Sequence, residues 1–399
     1  MWKKLAPYKS SIVLLIALTL GATLGIIKPE FALKLKPIGR IFLNLLFMII
    51  VPLVGISVMS SIAGMTDLKK LGKLLVIILF ISIIMELIPA AAIIALASFF
   101  DPAQGVTLDL AKNFVAGKGE LDFVNMLTTD DFVGLLSKSN ILALIIMSIM
   151  GGIAIGQAGE KGKKIAELLD CANAVVMNIV AIIMKFAPIG LGSFFAATMA
   201  EQDPKLLSTF AVVIGLFFSA SIVYYILGST VYAYIGAGWK GVKIFWRNAA
   251  EPSITALATC SSLGTLPVNI RAAKKMGIQD EMADICLPLF VNLNKGGVAM
   301  VAALKIMFVY SLLNLPFTPQ VFAITMLLSV LSAIIVGGVP GGAFLGEIFI
   351  VTALGLPVEV IPILVVIGAA TDALATVINV IHDLPATLIV ERIMRYKSK

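Results

Sequence analysis

Near the C-terminus, Asp372, Thr376, Asn379 and Asp383 follow one another at intervals of four, three and four residues. That spacing sets two carboxylates, a hydroxyl and an amide on one face of a helix, and Ala375 shares the face. The residues around them are apolar, so the stripe faces a polar cavity rather than lipid, the alternative for Asp372 and Asp383 being a buried helix–helix hydrogen bond. Ionisable groups in apolar spans are expensive and mark sites of ligand or ion chemistry. Glu86 is the one charged residue between Lys73 and Asp101. Lys295 stands in Val291-Asn292-Leu293-Asn294-Lys295-Gly296-Gly297, with Lys305 further along the same segment. Lys305 and Glu347 share no face with another polar group and read as structural. Lys185 and Asp170 fit a buried pair or an interface equally well.

The elements that position these groups are membrane helices. The 399 residues are 60% hydrophobic and 13% charged, with a mean hydropathy of +1.05. Soluble domains carry about 25% charge, so the chain is a polytopic membrane protein. Apolar stretches stand at roughly 11–27, 41–63, 74–100, 140–158, 172–199 and 208–237, with four more after 250. No cleavable signal is evident. The net charge of +7 comes from basic residues flanking apolar runs, which argues against nucleic-acid binding. Lys3, Lys4, Lys69, Lys70, Lys161, Lys163, Lys164, Lys240, Lys243 and Arg247 fall on the side of the N-terminus. By the positive-inside rule that side is the cytoplasm. Lys28, Lys34, Lys36 and Arg40 run against this assignment. The stretch 101–139 reads as an external loop.

Cys171, Cys260 and Cys286 lack CxxC spacing and cannot all pair. His382 is the only histidine, which leaves little support for a histidine metal site or a serine triad. No metal or cofactor is expected.

Two segments are too broken for lipid-facing helices. One, Glu251 to Lys275, contains Thr259-Cys260-Ser261-Ser262-Leu263-Gly264-Thr265-Leu266-Pro267. The other is Val336-Gly337-Gly338-Val339-Pro340-Gly341-Gly342. Irregular backbone at membrane depth is tolerated only inside protein or lining a cavity. A pair of such interruptions points to a transporter's substrate site. The alternative is a proline-kinked span at each place.

These motifs, in this order, resemble the glutamate transporter family of dicarboxylate/amino acid:cation symporters. Ser261 to Pro267 is close to the family's SSSGTLP, and Gly338-Val339-Pro340-Gly341 is like its GVPG. Asn379 to Leu384 resembles the NVxGDL stretch of its last helix, and Ala187-Pro188-Ile189-Gly190 resembles its fifth. The resemblance implies an all-α fold of eight transmembrane helices plus two re-entrant hairpins, near 250–275 and 320–355. It implies a homotrimer working as an elevator. The scaffold would be 1–70 and 101–204, and the transport domain 71–100 and 205–399.

Carried over by position, Asp372 takes the substrate's amino group. Asn379, with the hydroxyl and backbone at Ser261 and Ser262, takes its α-carboxylate, and Val339, Pro340 and Gly341 form the outer gate. A zwitterion in a low-dielectric cavity needs a carboxylate at one end and donors at the other. Thr376 belongs to the same face.

Departures from the family pattern set the specificity. The arginine that clamps an acidic side chain matches Ala375, the threonine of NMDGT matches Val298, and another member's arginine matches Cys260. An acidic side chain would be buried unpaired, at several kcal/mol, so a neutral amino acid is the expected substrate. NMDGT also aligns with Asn294-Lys295-Gly296-Gly297-Val298, which puts Gly296 at the sodium-binding aspartate. Glu86 falls where the family has a hydroxyl ligand, and the second hairpin's sodium-binding Ser and Thr match Ala333 and Val336. The expectation is that Lys295 stands in for a sodium ion, neutralised by Glu86 or Asp383. Transport is then sodium-independent, and is either proton-coupled through Glu86, Lys295, Asp383 or His382, or uncoupled.

Three alternatives compete. A sodium-coupled dicarboxylate or acidic amino-acid symporter keeps the family's chemistry. A receptor-like homologue keeps the fold without transport, but has no need of Asp372 and Asn379. An intramembrane enzyme needs a base for Ser262, and none lies nearby in sequence.

Overall fold

The computed structural model describes residues 9–63, 68–103, 105–106, 128–137, 140–201, 206–337 and 343–396. Every regular element among them is helical. In chain order these are α1 (Lys9–Ile27), α2 (Pro29–Lys34), α3 (Lys36–Ala63), α4 (Leu68–Phe99), α5 (Phe132–Leu135), α6 (Ile141–Gln157), α7 (Glu160–Met184) and α8 (Ala187–Glu201). The second half holds α9 (Leu206–Asn248), α10 (Ala250–Thr259), α11 (Ser262–Lys275), α12 (Asp280–Leu293), α13 (Gly296–Leu312), α14 (Pro319–Gly337), α15 (Ala343–Ala353) and α16 (Ile361–Tyr396).

Among the described residues, seven helices are long and apolar enough to cross a membrane. Two more, Ile16–Ile27 and Ala143–Gln157, are apolar but shorter. The resemblance implies eight spans, and the seven include Pro319–Val336, which it assigns to a re-entrant hairpin. Length and apolarity do not separate a re-entrant arm from a span. On α4, Val76, Phe80, Ile84 and Ile88 form an exposed stripe at four-residue intervals, while Ile78, Met85 and Glu86 are buried. An exposed apolar stripe beside a buried carboxylate suits a helix with lipid on one side and protein on the other.

The helices sort by packing into two groups. Helix α8 packs on α1 and α3, and α3 on α6 and α7. An ion pair between Lys36 and Glu201 (2.5 Å) and a hydrogen bond from Ser57 to Asn173 (2.6 Å) tie this group together. In the other, α16 is the hub, contacting α9 through α13 and also α15, while α13 packs on α4 and α14. At the exposed end of α11, Lys274 donates to Asp284 (3.0 Å), which holds its ammonium above the usual lysine range.

The two broken segments are helix pairs. Helix α10 ends at Cys260, whose φ of 47° is the left-handed region that residues with a Cβ seldom adopt. The chain turns there, and the Ser261 hydroxyl caps α11 by accepting from the Gly264 N–H (3.0 Å). Helices α14 and α15 form the second pair. Its connection, residues 338–342, lies outside the described residues, and with it Val339, Pro340 and Gly341. Between α12 and α13 the helix breaks at Asn294 and Lys295, which leave helical geometry (ψ 99° and 48°).

Candidate functional site

The break at Asn294–Lys295 sits against α4 and α16. Pro89 has no N–H, so it leaves the carbonyl four residues earlier, Met85, without its helical partner. Tyr224 on α9 donates its hydroxyl to that oxygen (3.2 Å). Gly296 packs on the same carbonyl, and a Cβ at residue 296 would stand 2.7 Å from the Met85 oxygen. This position, which the resemblance gives to a sodium-binding aspartate, has no room for any side chain.

The groups around the break share an ordered network. The Lys295 N–H donates to Glu86 Oε1 (3.0 Å), and Asn294 Nδ2 donates to Asp383 Oδ1 (2.9 Å). Glu86, Asn294 and Asp383 are each 1% exposed, and Lys295 is 7% exposed. The expected ion pair takes a different form. Among the described residues, no carboxylate oxygen lies within 4.0 Å of the Lys295 ammonium, which sits in the combined field of Asp383, Glu86 and Asp372. Glu86 engages the backbone of Lys295 rather than its ammonium, and Asp383 engages the neighbouring amide.

One helical step along, α13 and α16 touch at Gly297. A Cβ there would meet the Ala375 Cα and carbonyl carbon at 2.8 Å and the carbonyl oxygen closer still. The close approach lets the Gly297 N–H (2.8 Å) and the Val298 N–H (3.4 Å) both donate to Asn379 Oδ1. Two donors on one oxygen fix the amide's orientation and leave Nδ2 as a donor.

Beyond Gly297 a cavity opens between α13, α14, α15 and α16. Val298, Val301, Ala302 and Lys305 line it from α13, and Gly368, Thr371, Asp372 and Ala375 from α16. Ser332, Val336, Gly346 and Ile350 complete it from the helix pair. Asp372, Ala375 and Val298 therefore line one cavity. Cys260, at the tip of the first pair, lies within electrostatic range of Asp372. Ser261 spends its hydroxyl on the cap, Ser262 begins α11, and Thr376 is buried outside the cavity lining. His382 is enclosed by the rings of Tyr224 and Tyr232 at centroid distances of 4.7 and 5.4 Å, and among the described residues its Nε2 has no partner.

In the sequence, Lys305 and Glu347 read as structural. They form a buried ion pair across α13 and α15, and Lys305 lines the same cavity as Asp372. Their separation of 42 residues carries no periodic signal. Asp170 and Lys185 are both exposed.

Buried charges on broken helices around an internal cavity, in a bundle with apolar outer faces, define a multi-pass membrane protein with an internal polar site. The model of the sodium:dicarboxylate symporter family matches residues 11–393, and the chain belongs to that family. It is similar to the C4-dicarboxylate transport protein of Brucella anthropi, with 26% identity over 95% of this chain and 87% of the relative. C4-dicarboxylate transport protein 2 of Ralstonia nicotianae is 29% identical over 89% of this chain and 80% of its own length. The proton/sodium-glutamate symport protein of Geobacillus stearothermophilus is 27% identical over 94% and 92%. Membership makes the chain a secondary symporter of dicarboxylates or amino acids, and not an enzyme.

Proposed function

We propose that the protein carries neutral amino acids across the cell membrane without sodium, with Lys295 holding the place of the ion. Asp372 takes the substrate ammonium. Asn379 Nδ2 and the start of α11 at Ser262 take its α-carboxylate. Val298, Ala375 and Cys260 leave the side-chain wall without the arginine and threonine that the family sets against an acidic group.

The observation that carries sodium independence is the contact of Gly296 with the Met85 carbonyl. It fills with backbone the space a ligating carboxylate needs. A hard cation needs several oxygen ligands, and at the second hairpin Ala333 and Val336 supply none from their side chains. The site also holds four carboxylates, the buried Glu86, Glu347 and Asp383 and the half-buried Asp372, against two buried ammonium groups, Lys295 and Lys305. A zwitterion leaves that excess of negative charge unchanged, and bound protons offset it. Proton coupling is therefore the favoured drive, with uncoupled exchange as its rival.

The two packing groups support a division into a scaffold (1–70 and 101–204) and a moving transport domain (71–100 and 205–399). The elevator, the homotrimer and the cytoplasmic N-terminus rest on the family resemblance and the charge bias.

The names of the relatives favour a second reading, a symporter of C4-dicarboxylates or acidic amino acids. Against it, Asp372 repels a ligand with no ammonium, and the Lys305 ammonium is already held by Glu347. Purified protein in liposomes, offered labelled alanine, serine, leucine, glutamine, aspartate and succinate, decides between them. Uptake of neutral amino acids with little aspartate or succinate supports the proposal. Preferential aspartate or succinate uptake sinks it.

A further inference from the structure

The cavity has a second polar pole that the substrate reading above does not use. On α13, Val298, Val301, Ala302 and Lys305 share one face, and on α16, Gly368, Asp372 and Ala375 share another. The cavity therefore runs from the Val298–Ala375 level to the Lys305–Gly368 level, two helical turns or about 10 Å. Asp372 stands about 6 Å from the far end by the same rise per residue.

The far end is a built site. Lys305 (4% exposed) is paired with Glu347 (1% exposed), and both press on Gly368. A Cβ at residue 368 would stand 2.8 Å from Lys305 Nζ and closer to Glu347 Oε1, so only glycine admits the pair. Glu347 Oε2 is buried without a partner among the described residues. The Ser332 hydroxyl belongs to a residue lining the same cavity, and lies 2.8 Å from where a Cβ on Gly346 would stand. Thr371 is spent, because its hydroxyl donates to the Ile367 and Gly368 carbonyls (2.7 and 3.2 Å). The remaining walls are apolar.

We infer that Lys305, positioned by Glu347 and flanked by Ser332, selects the substrate's side chain, and that the side chain it selects is a carboxamide. The inference rests on the reading of Asp372 as the ammonium site, and it directs the side chain away from the apolar Val298–Ala375 end of the cavity to the Lys305 end. With the ammonium at Asp372, a side chain directed along the cavity must span about 6 Å, which suits glutamine and asparagine. A carboxamide supplies an acceptor for a free Lys305 N–H and a donor for Ser332 Oγ. A carboxylate is disfavoured because Glu347 already neutralises Lys305, and an added negative charge has no partner. An apolar side chain of equal length leaves the ammonium's remaining donors unsatisfied. Lys305 and Ser332 are specificity-determining residues here, and Glu347 is a positioning residue.

Competition against labelled glutamine in proteoliposomes tests this. For wild type, asparagine and glutamine should compete at least about tenfold better than methionine, leucine or glutamate, the worth of one good buried hydrogen bond. Equal competition by methionine or leucine overturns the inference while leaving the neutral amino-acid reading intact. Better competition by glutamate overturns both. The double variant Lys305→Met/Glu347→Leu removes the pair without stranding a charge. It should lose the preference for glutamine over methionine, and a preference that survives it overturns the inference. If that variant fails to fold, the wild-type competition series still decides. Absence of uptake of every amino acid removes the underlying reading and this inference with it.

Discussion

Replacing Gly297 with alanine tests whether the contact between α13 and α16 builds the substrate site. The added Cβ would meet the Ala375 Cα and carbonyl carbon at 2.8 Å, and main-chain atoms cannot swing aside. Ordinary contact begins near 3.4 Å, so the helices must separate by roughly half an ångström or more. Overpacking of this kind costs about 1–3 kcal/mol. Separation also stretches the Gly297 and Val298 hydrogen bonds to Asn379, worth about 0.5–1.5 kcal/mol each. The expected loss of stability is about 2–6 kcal/mol. Affinity should fall too, because Asn379 no longer aims Nδ2 at the substrate carboxylate. A hydrogen bond to a charged group is worth about 1.5–3 kcal/mol, or roughly 10- to 150-fold in Kd. The assay is thermal unfolding in detergent with and without substrate, beside Gly215→Ala as control, where an added Cβ meets nothing within 4 Å. The control should match wild type or exceed it slightly. Wild-type melting and wild-type affinity in Gly297→Ala would refute the reasoning.

Three further outcomes are expected. Asp372→Asn should weaken amino-acid binding by roughly 10- to 150-fold while leaving the melting temperature unchanged or higher, since it removes a half-buried charge; undiminished affinity by calorimetry would exclude Asp372 from the ammonium site. Lys305→Met alone should cost about 3–5 kcal/mol by stranding Glu347, whereas Lys305→Met/Glu347→Leu should be close to neutral; a double variant as unstable as the single one, by thermal unfolding, would contradict the pairing. Asn294→Ala should destabilise by about 1–3 kcal/mol, because Asp383 loses the amide that donates to it; an unchanged melting temperature would show that the bond carries no weight.

Much of this site is legible in the sequence because its signals are local. The spacing of Asp372, Thr376, Asn379 and Asp383 fixes a helix face by periodicity alone. The polar stretch 259–267, with Ser261, Ser262, Gly264 and Pro267, announces a turn that no lipid-facing helix could contain. The division of labour on that face is less legible. Asp372 and Ala375 reach the cavity, Asn379 and Asp383 bind the α12–α13 break, and Thr376 does neither, because the partners sit on α13 and at the break rather than on α16. The Lys305–Glu347 pair escapes a reading by faces, since each residue stands alone on its own helix and only tertiary packing joins them. The Met85 contact has the same origin. Pro89 and Gly296 are both visible as residues, but that one frees a carbonyl and the other receives it depends on how α4 meets α13.

The central claim is that a built-in ammonium has replaced a dissolved cation. The most direct measurement is uptake of a labelled neutral amino acid into proteoliposomes with sodium or choline as the external cation, at matched pH and membrane potential. Equal initial rates in the two salts are predicted, with rates responding instead to an imposed pH gradient or to internal amino acid. Uptake that collapses in choline and rises with the sodium gradient would contradict the account.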